Sequence, residues 1–553
     1  MVYPKIPLAQ SIIQICLAKG ITQIVISPGS RNAPLTIGFV SNPKFQCYSI
    51  ADERCAGFFA LGIAQQINKP VALVCTSGSA LLNYYPAFAE AFYSQIPLVV
   101  ISADRPMNKI DIGDGQTIRQ MNVFQNHSLY NANLTDGESE ENDFRINEAI
   151  NKAYAQKGPT HINAPFEEPL YQTIRSLTVD PTISAFAKVY KNISIDDIIA
   201  STNIWNSAKK KLILVGTNNP HDIDEEIIHA FSNDPSIMVM TEKSSNLHHS
   251  SFLNSIDTII TPFKEKDFKA FKPELLITFG GMIVSKRVKA FLRNYKAEHH
   301  WHIDPLRAYN TFGYLAHHFE AHPNDFFHQI LPFTKTVESN YSEMAQKVKL
   351  ARLRKHGEYL KKIPFSDFKA FEMILPVLPQ NSMLHVSNSS AIRYAQLFEI
   401  DPSIEVFCNR GTSGIDGSTS TAIGAAVGSG KPTILITGDI GFLYDSNALW
   451  NEYIPENFKI ILINNGGGGI FRILPGHREN KIFNTFFETS HCLTAENLAK
   501  MYGFEYITAS DEKTLAKGMI AVNAENAKPV ILEIFTPTLE NDKILNNYFK
   551  ELG

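Results

Sequence analysis

The chain is poor in cysteine. Its six cysteines are scattered over 553 residues and no two form a CxxC pair. That argues against a disulfide framework and against a zinc site, and it fits a reducing cytoplasm. No apolar run is long enough to span a bilayer. The N-terminus does not read as a signal peptide either, because Gln10, Ser11 and Gln14 interrupt its apolar residues. It predicts an amphipathic helix over 7–19. Nor is there an excess of one charge: 51 basic against 55 acidic side chains leave a formal net charge of -4. A general polyanion binder is therefore not expected, nucleic acid is not an expected partner, and an anionic ligand must be met by local basic clusters.

What the chain does have is length and regular alternation. At roughly 100–200 residues per domain, it has room for about three domains. Short apolar runs at 23–27, 71–75, 98–102, 211–215, 237–240, 275–279, 433–437 and 459–463 alternate with longer helical patterns. This is the signature of βαβ units and buried parallel sheets. Two composition breaks divide it. One is the irregular stretch 176–192. The other is 334–362, a polar helix-like connector carrying Lys347, Lys349, Arg352, Arg354 and Lys355. The expected fold class is α/β, with three doubly wound parallel-sheet domains at about 1–180, 190–335 and 360–553.

The first and third regions share a faint repeat. VALVC runs into Thr76-Ser77-Gly78, a helix with Tyr84 and Tyr85, and then PLVVISAD; TILIT runs into Gly438-Asp439, a helix with Tyr444, and then FKIILINN. Either the two are related units or all doubly wound domains look alike at this level.

The strongest chemical signal lies in the third region. Gly438-Asp439 ends one strand, and Asn464-Asn465-Gly466-Gly467 ends the next, 26 residues on from Asp439 to Asn465. One βαβ crossover spans that distance, and parallel strands joined in this way end side by side. Ligands of open α/β sheets bind at those carboxyl ends. Asp439 and Asn465 would present two oxygens at one point, with a glycine carbonyl as a third. Mg²⁺ takes few protein oxygens and completes its octahedron with phosphate and water. The helix after Asp439 could offer its N-terminus to that phosphate. The plain alternative is a helix-capping Asp and an Asn-Gly turn. Near the N-terminus, a strand at 47–50 runs into Asp52-Glu53-Arg54 and a helix of small residues. Just before the metal motif stands Asn409-Arg410-Gly411-Thr412-Ser413-Gly414-Ile415-Asp416-Gly417.

Arginines recur near predicted strand ends, in Ser30-Arg31, Asp104-Arg105, Gln116 to Arg119, Lys286-Arg287, Ser389 to Arg393 and Asn409-Arg410. One such arginine is usually solvated surface. Several suggest a substrate with more than one carboxylate, because guanidinium clamps carboxylate bidentately.

The Gly-Asp followed by Asn-Asn resembles the thiamine-diphosphate enzyme motif, with Ile440 where glycine is usual. The resemblance implies thiamine diphosphate and Mg²⁺ as cofactors, with Mn²⁺ as the alternative metal. It implies Asp439, Asn465 and the carbonyl of Gly467 as metal ligands, with Gly438 beside them. Glu53 would be the catalytic glutamate that hydrogen-bonds the aminopyrimidine ring, and Ile415 the aliphatic wedge between the cofactor rings.

SPGSRNAPL, ADERCAGFFALG, ADRP, GQTIRQ, NRGTSGIDG and the run 438–471 together are similar to one branch, the 2-succinyl-5-enolpyruvyl-6-hydroxy-3-cyclohexene-1-carboxylate synthases of menaquinone biosynthesis. The match is dense in the terminal regions and sparse in the middle. It implies a cytoplasmic transferase that decarboxylates 2-oxoglutarate and adds the succinyl carbanion equivalent 1,4 to isochorismate. Ser30, Arg31, Arg105, Gln116, Lys286, Arg287, Ser389, Arg393 and Arg410 would contact the substrates, with Ile470, Phe471 and Leu474 on the apolar side. It also implies a homodimer or a dimer of dimers. The rival readings are another thiamine-diphosphate 2-oxoacid decarboxylase, an acetolactate-synthase-like carboligase, or a non-catalytic cofactor-binding protein.

Overall fold

The central strands, rich in Val, Ile and Leu, are buried on both faces, as a sheet covered by helices on each side requires, while edge strands such as Gln46–Ser49 are partly exposed. In the computed structural model, which describes residues 2–185, 193–474, 476, 479–524 and 528–553, they assemble into three parallel sheets. The first has strands Gln46–Ser49, Gln23–Ile26, Val71–Cys75, Leu98–Asp104, Thr160–Pro165 and Asn131–Asn133 side by side in that order. The third has Glu405–Phe407, Met383–Val386, Thr433–Gly438, Phe458–Asn464, Val530–Phe535 and Glu505–Ala509. Counted along the chain, both sheets have the spatial order 2-1-3-4-6-5. The faint repeat is thus a repeat of topology. The middle sheet has five strands, ordered Ile237–Thr241, Lys211–Val215, Leu275–Phe279, His299–Ile303 and His317–Phe319. The α/β class read from the alternation is the fold observed. Of the break at 176–192, residues 186–192 lie outside the described residues.

Two helices join the repeated sheets. The helix Glu53–Ile67 starts where the Asp52 carboxylate accepts the N–H groups of Arg54 and Cys55 at 3.0 and 3.3 Å, and it ends at Asn68 with φ 51°. The helix Ser418–Ser429 runs between Gly417 and Gly430, both at positive φ. They pack face to face through glycine. A Cβ on Gly62 would fall within contact distance of the Thr421 carbonyl oxygen, and one on Gly424 would meet the Phe59 carbonyl oxygen. Around this crossing, Leu73 and Val100 of the first sheet share one core with Leu435 and Ile460 of the third.

The connector is a helix, Tyr341–Leu360, and it is packed at both ends. Tyr341 and Ala345 enter the core of the middle sheet, while Tyr359 and Leu360 enter that of the third. Tyr359 donates to the Ile544 carbonyl at 2.6 Å, and His356 meets the Tyr548 hydroxyl at 2.8 Å. Its basic residues have structural work too: Arg352 and Lys355 donate to the carbonyls of Leu552 and Gly553.

The glycine crossing generates a stability prediction. Overpacking a close-packed contact typically costs about 1–3 kcal/mol. Gly424→Ala should therefore lower the midpoint of thermal unfolding, whereas Gly430→Ala, which meets no atom within 4 Å, should act only through its positive φ. An unchanged midpoint for Gly424→Ala would show that the two helices can part without cost.

Candidate active site

The carboxyl ends of the third sheet form a cleft. Register explains its position: Gly438 pairs with Ile463 in adjacent parallel strands, so Asp439 and Asn465 emerge one beside the other. Among its lining residues are Gly438, Asp439, Asn465, Gly467, Ser389, Ile415, Ile470 and Phe471. These eight candidates come from four separate motifs.

The cleft is lined by buried polar groups, among them Asp439 and Asn465. Asp439 Oδ1 accepts the Ile440 N–H at 2.7 Å and Oδ2 accepts the Gly467 N–H at 2.9 Å. Asp439 is nevertheless only 4% exposed, and burial pushes its carboxyl above the usual range. A nearby cation would reverse that cost. Asn465 donates its Nδ2 to Asp367 Oδ2 at 3.0 Å, and its Oδ1 is buried without a hydrogen-bond partner. Buried polar atoms are rarely left unpaired. The orphaned oxygen and the Asp439 carboxylate are the kind of donors that Mg²⁺ takes, so these residues fit the metal; the Gly467 carbonyl accepts the Gly469 N–H at 2.9 Å. Ser389 and Ser390 follow the neighbouring strand Met383–Val386 and line the same cleft.

The sequence reasoning missed the supports of this site. Asp367 orients Asn465 from 98 residues away, accepts the Thr536 hydroxyl at 2.5 Å, and is pushed up to about 6 by burial. His491 Nε2 lies 3.4 Å from Asp439 Oδ2. Arg472 and Glu488 form a buried ion pair, with Nη2 to Oε2 at 2.7 Å, and the Glu488 carbonyl accepts the Gly468 N–H at 2.6 Å. This pair ties down the loop beyond Asn465. Asn388, Phe371 and Tyr394 also line the cleft. The only sequence signal for Asp367 was Ser366 before it, a helix cap, because nothing local says which distant side chain a buried carboxylate will meet.

Glu53 is not among the residues lining that cleft. It is the first residue of the helix Glu53–Ile67 and is half-buried. Burial pushes the Cys75 thiol and the Tyr84 hydroxyl well up, and the nearby Glu53 carboxylate adds to both shifts. Glu53 thus sits at the carboxyl end of the first sheet. Its flanking residues are held by the third region: Asn447 donates to Asp52 Oδ2 at 2.9 Å, and Arg54 donates to the Tyr444 carbonyl at 3.2 Å.

Residues 6–129 match the thiamine pyrophosphate enzyme N-terminal TPP binding domain, and residues 389–534 match the C-terminal TPP binding domain. The matches cover Glu53 and all three proposed metal ligands. Over its full length the chain is 67% identical to the 2-succinyl-5-enolpyruvyl-6-hydroxy-3-cyclohexene-1-carboxylate synthase of Flavobacterium johnsoniae and 68% identical to that of Flavobacterium psychrophilum, covering 100% of each. With the synthase of Bacteroides thetaiotaomicron it shares 37% identity over 97% of both chains. The chain belongs to this synthase family. Its cofactor is thiamine diphosphate, held with Mg²⁺.

The synthase family's acidic substrates direct attention to the basic residues. Arg287, Arg393 and Arg410 converge on the seam between the middle and third sheets. Burial holds the Arg393 guanidinium below its usual range, opposed by Asp257 and reinforced by Arg410 and Arg287. Arg410 donates from Nη1 to Asn388 Oδ1 at 2.6 Å, while its Nε is buried without a partner. Arg287 lies over the Phe549 ring at 4.8 Å, and Lys286 beside it is exposed. Ser30, Arg31, Arg105 and Gln116 lie instead beyond strand ends of the first sheet. Arg31 is 4% exposed and committed to the Phe166 carbonyl at 3.0 Å and Glu168 at 3.1 Å. Arg105 donates to the Gly115 carbonyl at 3.1 Å, next to the exposed Gln116. Leu474 is 39% exposed at the mouth of the loop after Phe471.

The unpaired amide oxygen carries a direct prediction. Asn465→Ala and Asp439→Ala should each weaken Mg²⁺-supported thiamine-diphosphate binding by at least about tenfold, the scale of losing one charged or metal-directed interaction. Circular dichroism should stay unchanged. Undiminished cofactor affinity in calorimetric titration of both variants would remove this pair from the metal site.

Proposed function

We infer that the chain decarboxylates 2-oxoglutarate and adds the remaining succinyl unit 1,4 to isochorismate, releasing CO₂ and 2-succinyl-5-enolpyruvyl-6-hydroxy-3-cyclohexene-1-carboxylate for menaquinone biosynthesis. The full-length identity to synthases of that name carries the reading, and three mutually close arginines, one of them bonded to the cleft-lining Asn388, support it. Acetolactate-type enzymes and simple decarboxylases act on small acceptors that call for no such basic wall. No described helix is long and apolar enough to cross a membrane. Cytoplasmic location remains part of the proposal, supported by the cysteine usage.

The division of labour follows from the groups present. Thiamine diphosphate, when bound, supplies the electron sink for decarboxylation. Asp439, Asn465 and Gly467 would hold its metal and diphosphate, and Ile415 would support its rings from the cleft wall. Glu53 would share a proton with the aminopyrimidine nitrogen, a task for a carboxyl group shielded from water. Arg393 and Arg410, with Arg287 and Lys286 at the rim, would clamp carboxylates and so orient two polyanionic substrates. Ile470, Phe471 and Leu474 would cover the apolar side. Ser30, Arg31, Arg105, Ser389 and Gln116 are proposed as further substrate contacts.

We further propose a two-fold dimer as the smallest active unit. Glu53 and the Asp439 cleft lie at carboxyl ends of different sheets, and Glu53 does not line the cleft of its own chain. A cofactor bridging both groups would find the missing edge on a second copy, and two-fold pairing is the commonest oligomer. The domains are proposed at about 1–180, 190–335 and 360–553.

Two experiments test these readings. Purified protein with Mg²⁺, thiamine diphosphate and 2-oxoglutarate should form the cyclohexene product only when isochorismate is added, and Arg393→Ala should cut kcat/KM by about ten- to a hundredfold with cofactor affinity retained. Normal kinetics in Arg393→Ala would refute the basic wall as substrate site. For the dimer, inactive Glu53→Gln and inactive Asp439→Ala are mixed with subunit exchange. Activity should return to about a quarter of wild type, since half the dimers would then carry one intact site of two. No recovery after verified exchange would place each site within one chain.

A further inference from the structure

The loop that carries Arg410 and Ile415 is gripped from outside its own domain. The helix Tyr85–Ser94 of the first region is apolar and small-residued except for Glu90, which is 1% exposed. Its two carboxylate oxygens receive four hydrogen bonds. Oε1 accepts the Gly411 N–H at 2.7 Å and the Ser94 hydroxyl at 2.7 Å; Oε2 accepts the Thr412 N–H at 2.6 Å and the Thr412 hydroxyl at 2.8 Å. A carboxylate has about four lone-pair sites, so its accepting capacity is filled. Among the described residues, no lysine, arginine or histidine forms an ion pair with it. Gly411 permits the approach: a Cβ there would stand 2.6 Å from the Glu90 carbonyl oxygen and 2.8 Å from Ser94 Oγ.

Burying a carboxylate away from water is costly unless it is fully hydrogen-bonded. Here three of the four donors belong to one short segment of another sheet's loop. That segment is also held from within its own domain, where Asn388 Nδ2 donates to the carbonyls of Asn409 and Gly414 at 2.7 Å each. Asn388 Oδ1 in turn accepts from Arg410 Nη1. Arg410 therefore projects from a backbone fixed on one side by Asn388 and on the other by Glu90. A guanidinium can clamp a carboxylate only if its base is held to a fraction of an ångström.

We propose that Glu90 is a positioning residue that sets Arg410 for the substrate carboxylate. It couples the first region to the substrate wall of the third without touching substrate or cofactor. The proposal rests on the reading above that Arg410 binds an acidic substrate.

Glu90→Gln keeps the shape of the side chain but turns one acceptor toward an N–H as a donor. It should lower kcat/KM for 2-oxoglutarate by about tenfold or more, mainly through KM, while thiamine-diphosphate affinity stays near wild type. In an Arg410→Ala background the same change should add less than about threefold, because coupled residues are not additive. An equal loss in both backgrounds, a parallel fall in cofactor affinity, or wild-type kinetics would overturn the proposal. Hydrogen exchange judges the clasp itself without substrate: the amides of Gly411 and Thr412 should exchange faster in Glu90→Gln, and unchanged protection would overturn it. If Glu90→Gln does not fold, Thr412→Val removes only the hydroxyl bond and should show a smaller loss with the same dependence on Arg410; no loss would count against the proposal. Wild-type kinetics in Arg410→Ala would refute the substrate reading instead, while the exchange measurement still decides whether Glu90 holds the loop.

Discussion

The glycine-lined crossing of the helices Glu53–Ile67 and Ser418–Ser429 is the contact on which the other features depend. Two helices approach this closely only where no Cβ intervenes, and Gly62 and Gly424 supply that gap. The crossing merges the cores of the first and third sheets into one. It also fixes the relative position of what each helix carries at its N-terminus: Glu53 on one, and the loop ending at Gly417 on the other. A wider crossing would move the Asp52–Asn447 and Glu90–Thr412 hydrogen bonds out of range together. The repeat of topology thereby presents two like edges carrying different side chains.

The cleft stores electrostatic cost. Asp439 and Asp367 are both buried and both pushed up, and one amide, Asn465, is held between Asp367 and an unpaired position. In water such groups would be solvated. A cation bound at the proposed ligands would offset the desolvation that folding imposed. The arginine side shows the same logic with opposite sign. Arg393 is lowered by burial next to two other guanidinium groups, with only Asp257 opposing. In the substrate reading proposed above, a carboxylate would relieve it. Buried carboxylates such as Glu90 and Glu242 then serve as scaffolding: Glu242 accepts the N–H groups of Val284 and Ser285 at 2.7 Å each, at the start of the helix carrying Lys286 and Arg287.

The chain by itself determined the strands, the parallel class and the pairing of Asp439 with Asn465. These are local or nearly local: apolar runs of strand length, and a crossover whose length brings two strand ends together. The family resemblance was legible for a similar reason, because its motifs are short contiguous strings at strand ends. The repeat was visible only as similar spacing, and the shared strand order required the sheets themselves. What tertiary structure alone decided is which partners each side chain meets. Arg31 and Arg410 look alike in the sequence, each following a strand and next to small polar residues. Folding commits Arg31 to Phe166 and Glu168, and leaves Arg410 beside Asn388 with an unpaired Nε. Glu90 and Asp367 are likewise unremarkable letters until distant loops fold onto them. The physical reason is that backbone periodicity is read within a few residues, whereas the partner of a buried charge is set by which segments meet in space.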